Sequence, residues 1–258
     1  MTAPILAHGN TAKLYCLNLI QRFAESRGGE LRVIDLGCGD AAIFLSLLRM
    51  YPSIRYVGVE PDRQRSAQAQ SNLRGFNAEV HAKPAYHLQL DPADVVVSFS
   101  TLEHVYRRLD YLRAAQRNLR VDGLCLINYD SGHFVMPGGR LWQRGSDRWK
   151  NRFGPLLARL GAEGSFQAPV LEGEFQSLVS EVGLRIVDEK LFNTDLKRAY
   201  GLLPEDRRAE FMSAWYEFEL YLNRLGIEYR DEYASVFRTR NFLLVFPGAE
   251  ESVRGLVQ

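Results

Sequence analysis

Apolar positions fall into two rhythms along the chain, and their alternation predicts the architecture. Leu14, Leu17, Ile20 and Phe23 recur at near-helical spacing between Asn10 and Ser26, and Gly28-Gly29 closes the pattern where a helix C-terminus belongs. Short β-branched runs then alternate with helical stretches. "LRVIDLG", "RYVGVE", "AEVHAK", "DVVVSFS" and "GLCLINY" read as strands, with helices expected over 41–50, 62–73 and 109–119. Strands of this length separated by helices predict a parallel sheet covered on both faces. Past Tyr129 the rhythm breaks: 131–164 shows no clear period, "EFQSLVSEVG" resumes a helix and "LRIVDEKLF" a sixth strand. A second interruption, 202–237, carries Phe211, Trp215, Phe218 and Leu222 at helical spacing, and "RNFLLVF" closes a count of seven strands.

Length and charge narrow the picture. The 258 residues suit one domain, read here as an N-terminal helical cap (1–29), a core, and insertions at 131–165 and 202–237. Lys plus Arg number 32 against 31 acids, so global charge favours neither nucleic acid nor membrane, and no apolar run reaches spanning length. The cysteines Cys16, Cys38 and Cys125 lack metal-ligand spacing, and an odd count speaks against a disulfide framework. A soluble, untargeted cytoplasmic protein is expected, with no metal, no membrane partner and a homodimer left open.

The chemistry concentrates at strand ends. In a doubly wound sheet, ligands sit beyond the carboxyl edge, where Gly37 and Gly39 bare the backbone and amides at a following helix start can hold an anion. Asp35 offers a carboxylate to a cation. Glu60 ends the next strand 23 positions after Gly37, the spacing at which an acid grips a ribose diol. A ligand with a ribose, a carboxylate and an ammonium fits this set, and S-adenosyl-L-methionine has all three. A nicotinamide dinucleotide fits poorly, because "GCGDAA" lacks the G-x-G-x-x-G spacing and Asp35 would face a pyrophosphate.

"VIDLGCGD", "VGVEPD", "DVVVSFSTLEHV", "NLRVDGLCLIN" and "LVSEVGLRIVDEKLF" resemble, in order, the motifs of class I S-adenosylmethionine-dependent methyltransferases over roughly 31–189 plus the last strand. The resemblance implies an α/β fold: a seven-stranded, mostly parallel, doubly wound sheet of order 3-2-1-4-5-7-6, the last strand antiparallel, with helical insertions after strands 5 and 6. It places Asp35, Gly37, Cys38 and Gly39 around the methionine part of the cofactor, Glu60 on the ribose, and Pro61 and Asp62 beside adenine. Ser98, Phe99 and Ser100 would lie near the methyl group. Two departures stand out. Ala41 replaces the family's third glycine, a mild change if the helix has begun there, and "HAKPAYHL" lacks the acid that often meets adenine, leaving Lys83 and Pro84 as contacts of another kind.

Candidate bases at the ends of strands four and five are His104, Tyr129, Asp130 and His133, set against the plainer roles of pocket shaping and turn formation. The run Arg140, Arg144, Arg148, Lys150, Arg152 and Arg159, interleaved with Trp142, Trp149 and Phe153, reads either as an anion or nucleic-acid surface or as a solvated helix face with aromatics packed inward. The second is preferred. The acidic, aromatic 205–233 segment reads as an amphipathic helix over the sheet's end, with a cation-receiving wall as the alternative. No "DPPY"-like motif or cytosine-type Cys follows the fourth strand, so the expected function is O- or N-methylation of a small molecule. The alternative is a catalytically silent relative acting through its insertions.

Overall fold

The computed structural model describes residues 7–130, 145–193, 197–226 and 239–257. Seven strands form one sheet: β1 (Arg32–Leu36), β2 (Arg55–Val59), β3 (Ala78–His81), β4 (Ala93–Phe99), β5 (Leu119–Asp130), β6 (Arg185–Phe192) and β7 (Thr239–Val245). Their order is β3-β2-β1-β4-β5-β7-β6. The first five run parallel, and β7 lies antiparallel to both β5 and β6. This is the expected class I methyltransferase topology.

Successive strand residues point to opposite faces, so an almost continuous apolar strand must be covered on both. On one face α1 (Thr11–Ser26), α2 (Leu45–Met50) and α9 (Glu250–Val257) bring Leu17, Ile20, Leu47 and Val253 onto Val33, Val95 and Val97. On the other, α4 (Arg108–Arg117) and α6 (Glu172–Glu181) pack Leu112, Ala115, Phe175 and Val179 against Ile34, Val96 and Ile127. Helix α3 (Arg63–Asn72) starts on Asp62, whose side chain accepts from the Arg65 amide at 2.8 Å. The cap of α1 is Asn10, which accepts from the Lys13 amide at 2.9 Å.

Local differences from the sequence-based expectation have identifiable causes. The helix expected from Ala41 begins only at Leu45, because Ala41 is left-handed at φ 57° and a single tight turn, Ala42–Phe44, intervenes. The stretch with no clear period contains α5 (Gly145–Arg159), disguised by Gly154 and Pro155 in its interior. Helix α9 follows the last expected strand. Helices α7 (Lys197–Leu202) and α8 (Arg208–Leu225) occupy the second insertion. In α8 the buried face centres on Met212 and Glu219, while Phe218 is 47% exposed, so the expected stripe is rotated. Among the described residues no helix is long and apolar enough to cross a membrane.

Candidate active site

The strand order reverses between β1 and β4, and the carboxyl edge there is built from unusual backbone. Gly37 (φ 79°), Gly39 (φ 58°), Ala41 (φ 57°) and Ser100 (φ 50°) are all left-handed. A non-glycine residue in that region costs about 1–2 kcal/mol, and such strain gathers where a ligand is held. Ala41 is fully buried, so its methyl is kept against that cost. A side chain at Gly37 would meet Thr101 at 2.5 Å, whereas one at Gly39 would meet none of the described residues within 4 Å. Gly37 is therefore needed for close packing, and Gly39 faces open space.

The loop amides are already committed. Those of Gly37 and Cys38 donate to the Val59 carbonyl at 2.7 and 3.1 Å, and that of Gly39 donates to Glu60 Oε2 at 3.0 Å. These three amides lock the β1 loop onto the end of β2. Glu60 is 6% exposed and also accepts from the Asp62 amide at 3.0 Å through Oε1. Both carboxylate oxygens are fixed in direction, each with a further lone pair.

Asp35 lies behind this loop, 2% exposed. Tyr56 donates its hydroxyl to Oδ2 at 2.7 Å, while Oδ1 is buried with no partner among the described residues. Burial pushes its carboxyl up to about 7, against the opposing effects of the Tyr56 hydrogen bond and the Lys13 charge. A cation brought to this acid stabilises its carboxylate further.

A second buried acid, Glu103, was missed from the sequence, where its neighbour His104 drew attention. Glu103 is 1% exposed; its Oε1 accepts from the Asp130 amide at 3.3 Å and its Oε2 is buried with no partner among the described residues. Burial, with the Asp130 charge adding, pushes it up to about 8. Its carbonyl accepts from the Ala168 amide at 3.0 Å, tying the end of β4 to the chain that follows α5. Asn128, fully buried, accepts from the Ser100 amide through its side chain at 2.9 Å and its carbonyl at 3.1 Å. The signal for Glu103 was its place four residues beyond the end of β4.

Other candidates lie away from the edge or are otherwise engaged. Ser98 is 1% exposed, its hydroxyl paired with Tyr111 at 2.8 Å, and Tyr111 donates to the Leu36 carbonyl; this side chain belongs to the layer under α4. Phe99 stacks on Phe44 in the opposite layer. Tyr129, proposed from the sequence as a base, is 2% exposed, packs against Phe175 and Phe242, and is pushed by burial up to about 12. His104 is exposed, as are Pro61, Asp62 and Lys83, while Pro84 is half-buried before a short turn at Ala85–His87. Cys38 is 8% exposed and burial raises its thiol, so it is no nucleophile. His133 lies outside the described residues.

A model of the methyltransferase domain family matches residues 8–189. The chain belongs to this family. It is a class I S-adenosylmethionine-dependent methyltransferase. A curated relative, the malonyl-acyl-carrier-protein O-methyltransferase of Bacillus cereus, is 25% identical over 111 residues, 43% of this chain. The match spans about two fifths of that relative's length, 40%. An S-adenosylmethionine-dependent methyltransferase from Clostridium acetobutylicum superposes with a TM-score of 0.55 at 10% identity, covering 91% of this chain and 92% of its own. An O-methyltransferase from a trans-AT polyketide synthase multienzyme of Brevibacillus brevis, in complex with S-adenosyl-L-homocysteine, gives 0.53 at 14%, covering 94% and 75%. These two structural likenesses show the shared fold.

S-adenosyl-L-methionine is the methyltransferase's cofactor, and the residues present fit it. The unpartnered Asp35 oxygen suits a cationic group, the open face over Gly39 leaves room for a ligand against the backbone, and the fixed Glu60 carboxylate suits a vicinal diol.

Proposed function

We propose that this methyltransferase acts on oxygen or nitrogen of a small-molecule acceptor and that Glu103 receives the acceptor's proton. When bound, the cofactor supplies an electrophilic methyl group on a sulfonium, open to in-line attack. What the chain must add is position, exclusion of water and a destination for the proton. Asp35 and Glu60 hold the donor. The insertions carrying α5, α7 and α8 form the acceptor lid, linked to the site through the Ala168–Glu103 bond.

The observation that carries this reading is the Oε2 of Glu103, buried between the ends of β4 and β5 with no partner among the described residues. Raised to about 8, the group holds its proton at neutral pH in the free protein. A cation standing at this edge favours the carboxylate, so the base is armed only when the donor is in place. The acceptor named for the Bacillus cereus relative is a carrier-borne malonyl group, so carboxylates and thioester-borne acyl groups belong beside phenols and amines in the screen.

The test is Glu103→Gln assayed for methyl transfer across these acceptor classes, with S-adenosylhomocysteine titration as the control for an intact site. Retained affinity with kcat lowered roughly 100-fold or more on hydroxyl and ammonium acceptors, and little change on carboxylates, is expected. An unchanged kcat on a hydroxyl acceptor refutes the assignment.

A further inference from the structure

Helix α5 and Leu160, the residue that follows it, carry a row of large apolar side chains on the side turned away from the protein. Trp149, Phe153, Leu156 and Leu160 recur at intervals of four, three and four residues, one stripe about 16 Å long at 1.5 Å per residue. They are 49%, 40%, 56% and 76% exposed. The opposite side is the one attached to the protein: Ala158 is buried, and a Cβ at Gly154 would stand 2.5 Å from the Ser165 carbonyl. Trp149 and Phe153 therefore do not pack inward as the preferred sequence-based reading has it, while Trp142 lies outside the described residues.

Cations border the stripe on both flanks. Arg152 and Arg159, seven residues apart, lie along one edge, and Lys150 lies along the other. Arg152 sits over the Phe153 ring at 5.5 Å. Among the described residues none of the three has an ion-pair partner, and the stripe itself carries no acid.

We propose that α5 is an interfacial helix that lays this face on an anionic lipid bilayer. A convex apolar ridge needs a medium that yields around it, and Trp, Phe and Leu between lysine and arginine flanks match the boundary between acyl chains and acidic headgroups. A nucleic acid would need the cations at the centre of the face, where the structure has leucine and tryptophan. The expectation of no membrane partner rested on the missing spanning run, and a helix lying in the interface needs none. This inference concerns where the enzyme works and stands independently of the proton route through Glu103.

The experiment is flotation of the full chain with vesicles of phosphatidylcholine, with and without phosphatidylglycerol. Parallel variants are Leu156→Asp/Leu160→Asp and Arg152→Gln/Arg159→Gln, each first shown to bind S-adenosylhomocysteine as the parent does. Flotation is expected with phosphatidylglycerol, far less without it, and weakening as salt rises. The aspartate pair should abolish it, and the glutamine pair should weaken it about 25-fold, about fivefold per cation removed. A parent chain that stays with the soluble fraction at low salt overturns the proposal, as does flotation of the aspartate pair. Absence of flotation together with a dimer that the aspartate pair splits would give the face to a second copy. Binding to an acidic carrier protein but not to vesicles would give it to that protein instead.

Discussion

Replacing Asp35 with Asn separates what the buried acid does for the fold from what it does for the cofactor. The folded-state value of about 7 lies above the unfolded 3.8. Between those limits the folded chain keeps a proton the unfolded chain has lost, so stability falls as pH rises through that window. At roughly 1.4 kcal/mol per pH unit the interval is worth about 4 kcal/mol, fully present below the unfolded value and lost above about pH 8. Asparagine carries no charge and can still accept the Tyr56 hydroxyl, but it leaves an N–H where Oδ1 has no partner among the described residues, at about 1–3 kcal/mol. That second cost does not depend on pH. The difference between variant and parent should therefore shift in the variant's favour by about 4 kcal/mol between pH 4 and pH 8, read by urea unfolding at both. The variant should also bind S-adenosylmethionine at least tenfold more weakly, because a neutral amide offers a cation no opposite charge. A stability difference that is the same at both pH values would refute the account of Asp35 as a cofactor-awaiting buried acid.

Three further outcomes follow from the same edge. Glu60→Ala removes the acceptor of the Gly39 and Asp62 amides and should weaken S-adenosylhomocysteine binding at least tenfold by calorimetry; unchanged affinity would remove Glu60 from the ribose. Gly37→Ala places a methyl 2.5 Å from Thr101 at φ 79°, and should cost about 2–4 kcal/mol in urea unfolding along with cofactor affinity. Arg108, 8% exposed, donates to the carbonyls of Leu102, Ala168 and Pro169 and to both oxygens of Glu174. Arg108→Met strands those acceptors and should cost about 2–4 kcal/mol, discounted because Glu174 is partly exposed and rehydrates; a loss below about 1 kcal/mol would show that the bonds are not holding the 166–174 segment in place.

The sequence by itself determined which residues reach the carboxyl edge of the sheet. Apolar runs such as "VVVSF" force strands, glycines after "VID" force a turn, and Glu60 must then end the neighbouring strand; these follow from spacing along the chain. Which way a side chain at that edge faces, and which protein group has already claimed it, depends on partners distant in sequence. Ser98 is taken by Tyr111 and the loop amides by Val59, and Tyr129 is packed under Phe175. Glu103 becomes a buried acid only because β5 brings the Asp130 amide and the chain after α5 closes over it. For α5 the sequence showed no clear period, and its run of cations and aromatics did not fix which way the aromatics face. The close approach of Gly154 to Ser165 set its small residues inward and its apolar stripe outward, a choice made by packing and invisible to periodicity.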